Sequence, residues 1–452
     1  MAIPHLTFQR VMSMLRKNTI GLIVVLFLPC ASILSAQEAA PPLSIEEAVQ
    51  TALSRNLNVR AARQQAAAAG ARIRAARADS FPQLQASAEY RRITSPASFE
   101  IPSLGPGIPP REVAVATEEN VVGTVAARQA VYTGGRIPAQ ISRAEALLDA
   151  ALGRLASTEA QVALQTREAY YGVLLSQGLV RSAERSLAAA REQLAAATAK
   201  FEAGTAAQFD VLRAQTQVSE AEQNLAEARN QVEITRMALN RILAAPLEQV
   251  RPLSEPGLAP FPMENLPSLV ETAGRQRPEL LAARAQLAAA EQGIRLAESQ
   301  RRPEFDLSAG YQTVSKETPA QTTGWTFSAI VSMEIFDGGR TRANIAEARS
   351  LRDEARTNLE DTSMAVEQDV RQAYLNLQTA RQTIETAKTR LAQAEEAHSV
   401  ATVRYEAGVG TAVELADALA ALTAARTNVD RATFNYNIAC AALQRALGRT
   451  TY

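Results

Sequence analysis

The chain has 452 residues in which 47 Lys and Arg balance 47 Asp and Glu, scattered without a basic face or an acidic run, which excludes a nucleic-acid partner and a solvating tail. Alanine is abundant and aromatic residues make up only 5%, favouring long helices packed through small side chains over a thick globular core. Two histidines and two cysteines, with no Gly-x-x-x-x-Gly-Lys-Ser/Thr loop, His-Glu-x-x-His or Cys-x-x-Cys, argue against an enzyme, a metal site or a cofactor.

Arg16 and Lys17, the apolar run from Ile20 to Leu28 and Ser35-Ala36-Gln37 have the order of a secretory signal peptide, predicted to span residues 1–36 and to be cut after Ala36. Cys30 falls inside it, preceded by Pro29 where a lipid-attachment motif would place a small residue, so Cys440 alone would remain and no internal disulfide forms. No later run approaches the ~20 apolar residues of a membrane helix, so a chain that crosses a membrane must do so with strands.

The first strand is predicted near 82–95, where Leu84, Ala86, Ala88 and Tyr90 alternate with Gln83, Gln85, Ser87 and Glu89. A Pro/Gly-rich stretch from Ile101 to Pro110 follows as a loop, and a second strand covers about 119–132. Gly134-Gly135-Arg136 begins a helix to Ala203 with no proline beyond its first turn, about 100 Å long at ~1.5 Å per residue. After Phe201-Glu202-Ala203-Gly204 the chain turns, and Val211, Ala214, Val218, Ala221, Leu225, Ala228 and Val232 form a heptad seam of large residues and alanine. A Pro-rich segment, 246–267, interrupts any helix or sheet.

The same order then recurs. Tyr132-Thr133-Gly134-Gly135-Arg136 returns 204 residues later as Phe336-Asp337-Gly338-Gly339-Arg340, Arg167-Glu168-Ala169-Tyr170 as Arg371-Gln372-Ala373-Tyr374, and Lys200-Phe201-Glu202-Ala203-Gly204 as Arg404-Tyr405-Glu406-Ala407-Gly408. Phe81-Pro82 and Tyr90 return at an offset of 221, as Arg302-Pro303 and Tyr311; the loop insertion accounts for the difference. Residues 37–245 and 268–452 are therefore two structural repeats of helix, two strands, long helix, tip and helix, joined by 246–267. The second copy has strands at about 303–315 and 323–336, with Trp325, Phe327, Ala329, Val331, Met333 and Ile335 on one face. Its seam runs Leu415, Ala418, Leu422, Ala425, Val429, Ala432 and Tyr436.

The helices alone would suit a coiled-coil rod. Four strands of apolar and polar alternation beside a signal peptide instead suggest a transmembrane β-barrel. Four cannot close one, and an open edge in lipid leaves backbone groups unpaired, so copies must join. Two give eight strands filled by side chains, whereas three give twelve around a lumen. The fold class is thus an α+β membrane protein: a trimeric 12-stranded transmembrane β-barrel, four strands per chain, continued by a long α-helical coiled-coil barrel. A secreted structural rod or trimeric adhesin stalk is the alternative. A periplasmic adaptor would show one helical hairpin flanked by Gly-rich β-domains, and none is visible.

The duplicated order, the Gly-Gly-Arg helix starts at Gly134 and Gly338 and the tips at Phe201 and Tyr405 resemble the TolC family of outer-membrane efflux ducts over essentially the whole mature chain. The resemblance implies a homotrimer in outer-membrane lipid with its helices in the periplasm, an adaptor docking near the tips and an inner-membrane pump. The function implied is a passive exit duct in tripartite efflux or type I secretion, for drugs, metals or secreted peptides. By residue match, Glu414 and Asp417 would ring the periplasmic aperture, Tyr405 and Asp210 would belong to the links that hold it shut, and Gly410 stands where the family has a lock arginine. Gly204, Thr205, Gly408 and Thr411 are the candidate docking positions. Glu414 and Asp417, three apart on a helix, share a face, and threefold repetition would favour cations. Local readings compete: Thr411-x-x-Glu414 and Thr205-x-x-Gln208 match capping boxes, Gly204 and Gly408 match helix C-caps, and His398 is a solvated helix residue.

Overall fold

A computed structural model describes residues 41–94, 98–102, 105, 107, 109–114, 117–204, 207–260, 265–317, 321–407 and 409–449. The segment read as a signal peptide, with Cys30, lies outside the described residues. Helix α1 (Ile45–Arg55) starts at Ser44, whose hydroxyl accepts from the Glu47 N–H at 3.1 Å; Asn56 then ends α1 and caps α2 (Leu57–Ala78) by accepting from the Asn58 N–H at 2.9 Å. Strand β1 (Gln83–Arg92), a short ribbon of β2 (Ser98–Ile101) and β3 (Arg111–Ala114), and β4 (Glu119–Thr133) follow. Next come α3 (Arg136–Glu202), α4 (Gln208–Ile242), α5 (Leu266–Gln276), α6 (Pro278–Ser299), β5 (Glu304–Val314), β6 (Gly324–Ser332), α7 (Arg340–Glu406) and α8 (Ala412–Ala446).

Helices α3 and α7 each have 67 residues, and α4 and α8 each have 35. The long pair start alike: Gly134 and Gly135 at φ +61° and +94°, Gly338 and Gly339 at +65° and +90°, take a left-handed turn that side chains disfavour. Pro138 falls in the first turn of α3, where its N–H would have had no helical partner. At the head of α7, hydrogen bonds from Thr341, with help from the Gly339 N–H, lower the Asp337 carboxyl to about 2.

Four strands form one antiparallel sheet in the order β1-β4-β5-β6. The register places like with like. Leu84, Ala127, Ala309 and Phe327 form one cross-sheet row, and Ala86, Val125, Tyr311 and Trp325 the next. On the opposite face the rows are Gln83, Arg128, Ser308, Ser328 and Gln85, Ala126, Gly310, Thr326. Strand β6 stops four residues before its expected end, because its neighbour β5 starts at Glu304 and the preceding Pro303 has no N–H to donate. The ribbon β2–β3 lies where only a loop was expected; strands of four residues are too short for alternation to announce them.

The helices preserve the strand order: α2 lies against α3, α3 against α6 and α6 against α7. Farther from the sheet, α3 pairs with α4, α7 with α8, and α3 with α8. The seam residues do what their spacing predicts: Ala214, Ala221, Leu225 and Val232 of α4 and Leu422, Ala425, Ala432 and Tyr436 of α8 are buried, and the remaining six are half-buried. Exposed ion pairs such as Arg191–Glu222 at 2.8 Å ornament these contacts and contribute at most about 1 kcal/mol each.

The Pro-rich segment is fastened to the rest of the chain along residues 252–259. Leu253 bridges Leu43 in parallel, and the buried Tyr170 hydroxyl lies 2.7 Å from both the Leu43 and Ser254 carbonyls. Asn437 accepts from the Ala259 N–H at 2.9 Å and donates to the Gly257 carbonyl at 3.2 Å. Nearby, Arg277 is only 2% exposed and donates to the Ala446 carbonyl, Glu279 and Asp369, each at 2.8 Å. A guanidinium so buried needs all three partners, since an unpaired one would cost about 3–5 kcal/mol.

Candidate functional site

Two regions gather exposed apolar residues with the sequence-predicted site positions: the far ends of the helical hairpins and the apolar face of the sheet. At the first tip α3 closes through Gly204, left-handed at φ +74°, whose N–H donates to the Phe201 carbonyl at 2.9 Å. Thr205 lies outside the described residues. Helix α4 is capped at Ala207, whose N–H donates to Asp210 at 3.3 Å, so Asp210 rather than Gln208 takes the reciprocal position of the cap. Alanine has no side-chain oxygen to return the bond, and the Asp210 N–H donates instead to the Ala207 backbone carbonyl at 3.0 Å.

The second tip is more completely built. Gly408 lies outside the described residues, but the Val409 and Gly410 N–H groups both donate to the Arg404 carbonyl at 3.0 Å, closing the end of α7. Thr411 then accepts from the Glu414 N–H at 3.2 Å and donates its own N–H to the Glu414 carboxylate at 3.4 Å, a full capping box. Asp417, one turn on and on the same side of α8, is exposed and makes no hydrogen bond or ion pair among the described residues. Capping therefore accounts for Glu414 but not for Asp417.

Gly410 is a tight position. A Cβ there would stand 3.0 Å from the Tyr405 nitrogen and 3.1 Å from the Arg404 carbonyl carbon, both backbone atoms, so a larger residue needs the turn to give way by a few tenths of an ångström. The basic partner of Tyr405 is instead Lys200, near the end of α3: its ammonium is 2.7 Å from the phenol oxygen and 4.4 Å from the ring centroid. This contact joins the two hairpin tips. The structure thus brings Tyr405 to Lys200, while Asp210 caps its own helix. Lys200 was not singled out from the sequence; the available signal was its place in the repeated tip motif, opposite Arg404. Phe209 and Val409, 69% and 71% exposed, leave both tips apolar at their extremities.

On the sheet, Leu84, Trp325 and Phe327 are 76%, 67% and 75% exposed, with Trp325 stacked on Phe327 at 6.0 Å and tilted against Tyr311 at 5.3 Å. Tyr90, Val121, Val125, Tyr132, Leu307 and Val331 continue the same face, all exposed. The other face carries Gln, Ser, Thr and the ion pair Arg128–Asp306 at 3.0 Å. Among the described residues no helix is long and apolar enough to cross a membrane, and none of their His, Cys, Asp and Glu groups could hold a metal ion.

Comparison with known proteins adds four findings. The profile of the outer membrane efflux protein family matches residues 48–245 and 269–449, passing over the Pro-rich segment. The cobalt-zinc-cadmium resistance protein CzcC of Cupriavidus metallidurans is 25% identical over 417 residues, 91% of this chain and 92% of its own. Outer membrane protein OprJ of Pseudomonas aeruginosa is 28% identical over 386 residues, 82% of this chain and 76% of its own. Of solved structures, the outer membrane channel MtrE of Neisseria gonorrhoeae in its open state superposes with a TM-score of 0.74 at 20% identity, covering 90% of this chain and 89% of that one, a likeness of fold.

Proposed function

The chain belongs to the outer membrane efflux protein family, and we propose that three copies of it form the passive exit duct of a tripartite export assembly. It is an outer-membrane efflux channel protein with a periplasmic helical part, not an enzyme.

The observation that carries the trimer is the sheet: one face mostly apolar and largely exposed, the other mostly polar, and two strand edges, β1 and β6, without strand partners among the described residues. Lipid satisfies the apolar face, and only closure satisfies the edges, because an unpaired backbone group in hydrocarbon costs several kcal/mol. Three sheets of four strands make a 12-stranded barrel with room for water, its lumen lined by the Gln, Ser and Thr rows. The matching helix order α2-α3-α6-α7 supports a wall that continues from barrel to helices in the same sequence of neighbours.

The remaining assignments belong to this reading. Residues 1–36 direct export, and 37–245 and 268–452 are two copies of one unit joined at 246–267; the equal lengths of α3 and α7, 67 residues each, and of α4 and α8, 35 each, support the duplication. The exposed tips, with Gly204, Thr205, Gly408 and Thr411, receive a periplasmic adaptor. Glu414 and Asp417 face the aperture, with Tyr405 and Asp210 beside it, and the contact of Tyr405 with Lys200 restrains it. Coupling to ATP or protons lies in an inner-membrane pump. Drugs, metal ions and secreted peptides all suit a polar lumen; CzcC is named for cobalt, zinc and cadmium resistance. A secreted rod or adhesin stalk has no use for a lipid-facing sheet. The test is planar-bilayer recording on oligomer purified from outer membranes: discrete conductance steps are expected, and a stable oligomer that never conducts would favour the rod.

A further inference from the structure

The turn from strand to long helix occurs twice, and only one of the two is covered by a described residue. Gly134 lies beneath the turn between α6 and β5: a Cβ on it would stand 2.6 Å from the Arg302 Cβ and 2.9 Å from the Ser299 carbonyl oxygen, and the Arg302 guanidinium donates to the Gly134 carbonyl at 3.1 Å. Gly338, its counterpart in the other half, has the same left-handed conformation at φ +65° and no described atom within 4 Å of where a Cβ would stand. The chain has a second turn of the α6–β5 kind, between α2 and β1, at the opposite edge of the molecule. There Phe81-Pro82 corresponds to Arg302-Pro303, and Phe81 is 65% exposed.

The sheet registers make this correspondence quantitative. Advancing β1 numbers by 221 and β4 numbers by 204 turns Leu84↔Ala127 into Phe305↔Val331, and Arg91↔Asn120 into Gln312↔Gly324; both results are observed pairs of β5 with β6. The same two offsets can be applied to the junction between the halves, where β4 pairs with β5. Ala127↔Ala309 then becomes Val331↔Ala88, and Val125↔Tyr311 becomes Ala329↔Tyr90. Strands β6 and β1 bound one sheet on opposite sides, about three strand spacings of ~4.8 Å apart, so these pairs cannot form within a chain.

We infer that β6 of one protomer pairs antiparallel with β1 of the next in the register Val331↔Ala88, and that Phe81 of that next protomer covers the Gly338-Gly339 turn as Arg302 covers Gly134. This rests on the ring of copies proposed above and specifies its joint. The register keeps Leu84 and Tyr90 on the same face as Phe327 and Val331; a slip of one residue would turn them onto the polar face. A slip of two keeps the faces but moves Phe81 about 7 Å along the strand, off the glycine turn. The uncovered turn is therefore the feature that selects one register. Because Phe81 brings no donor where Arg302 brings a guanidinium, the contact between protomers is one of packing.

Cysteine pairs test the joint in a Cys440→Ala background, in isolated outer membranes treated with copper phenanthroline. Ala88→Cys with Val331→Cys is expected to give covalent dimers and trimers, since directly opposed strand residues lie within disulfide range. Ala86→Cys with Val331→Cys, two residues out, is expected to link at least about five-fold less, and either cysteine alone not at all. Preferential linking of the shifted pair overturns the register. Native oligomers that link with neither pair also overturn it and leave the ring standing, whereas absence of native oligomers in the wild type and all variants overturns both. Phe81→Ala is expected to lower the temperature at which the oligomer dissociates on semi-native gels, with Phe81→Leu retaining most of it. Equal dissociation temperatures in all three proteins would rule out the Phe81 contact.

Discussion

Asp430 on α8 sits half-buried against Gly178, with Arg181, Arg185 and Glu255 around it. Burial raises its carboxyl above the ordinary 3.8; Arg181 and Arg185 oppose the shift and Glu255 adds to it. Between about pH 3.8 and the raised folded value, folding takes up a proton at this residue; above that window the carboxylate costs stability, a cost that vanishes below about pH 3.8. Asp430→Asn is expected to raise the thermal midpoint at pH 7 and to leave it unchanged below pH 3.8; a lowered midpoint at pH 7 would mean that the two arginines dominate. Glu414 and Asp417 pose a different question, because the capping box gives Glu414 a structural duty and Asp417 has none. Replacing both by Ala is expected to reduce cation preference and block by multivalent cations in bilayer recordings. Thr411→Ala, which removes only the cap, should cost about 1 kcal/mol of helix stability and leave selectivity alone. Unchanged selectivity in the double variant would remove the acidic ring from the account.

At the scale of elements, what was legible in the sequence was what repeats locally. The four main strands appeared through apolar and polar alternation, the long helices through the absence of proline, and the packing faces of α4 and α8 through 3–4 spacing that left none of the seam residues exposed. What was not legible depends on contacts between distant residues. The prolines of 246–267 announced an irregular segment, but not that Tyr170 and Asn437 would bond its backbone. The cap of α4 at Ala207 instead of Thr205 reflects where the turn ends, which no tetrapeptide decides. Lys200 and Tyr405 meet across 205 residues, so neither motif foretold the other. If their contact restrains the aperture, Tyr405→Phe, which loses the hydrogen bond and keeps the ring, should raise basal conductance moderately, and Lys200→Ala, which loses both contacts, should raise it further. Equal conductance in all three proteins would leave the pair a local fastening of the tips.

At the scale of the whole molecule, the chain is unfinished by its own physics. Among the described residues its apolar sheet face has no layer of protein over it, its strand edges end in unpaired backbone, and one of its two glycine turns lacks the cover that the other has. Lipid and further copies complete all three, and membership of the efflux family agrees with that completion. The ribbon β2–β3 and the Pro/Gly turn it carries lie between β1 and β4, at the end of the sheet away from the helices. In the proposed duct this end is extracellular, so an epitope inserted at Pro106, which is outside the described residues, is expected to be labelled on intact cells; labelling only after the outer membrane is broken would invert the topology. The number of copies is the central claim, since eight strands would leave no lumen and twelve would. Native mass spectrometry of the complex extracted from outer membranes decides it most directly: three protomers are predicted, and a complex of one or two would contradict the duct.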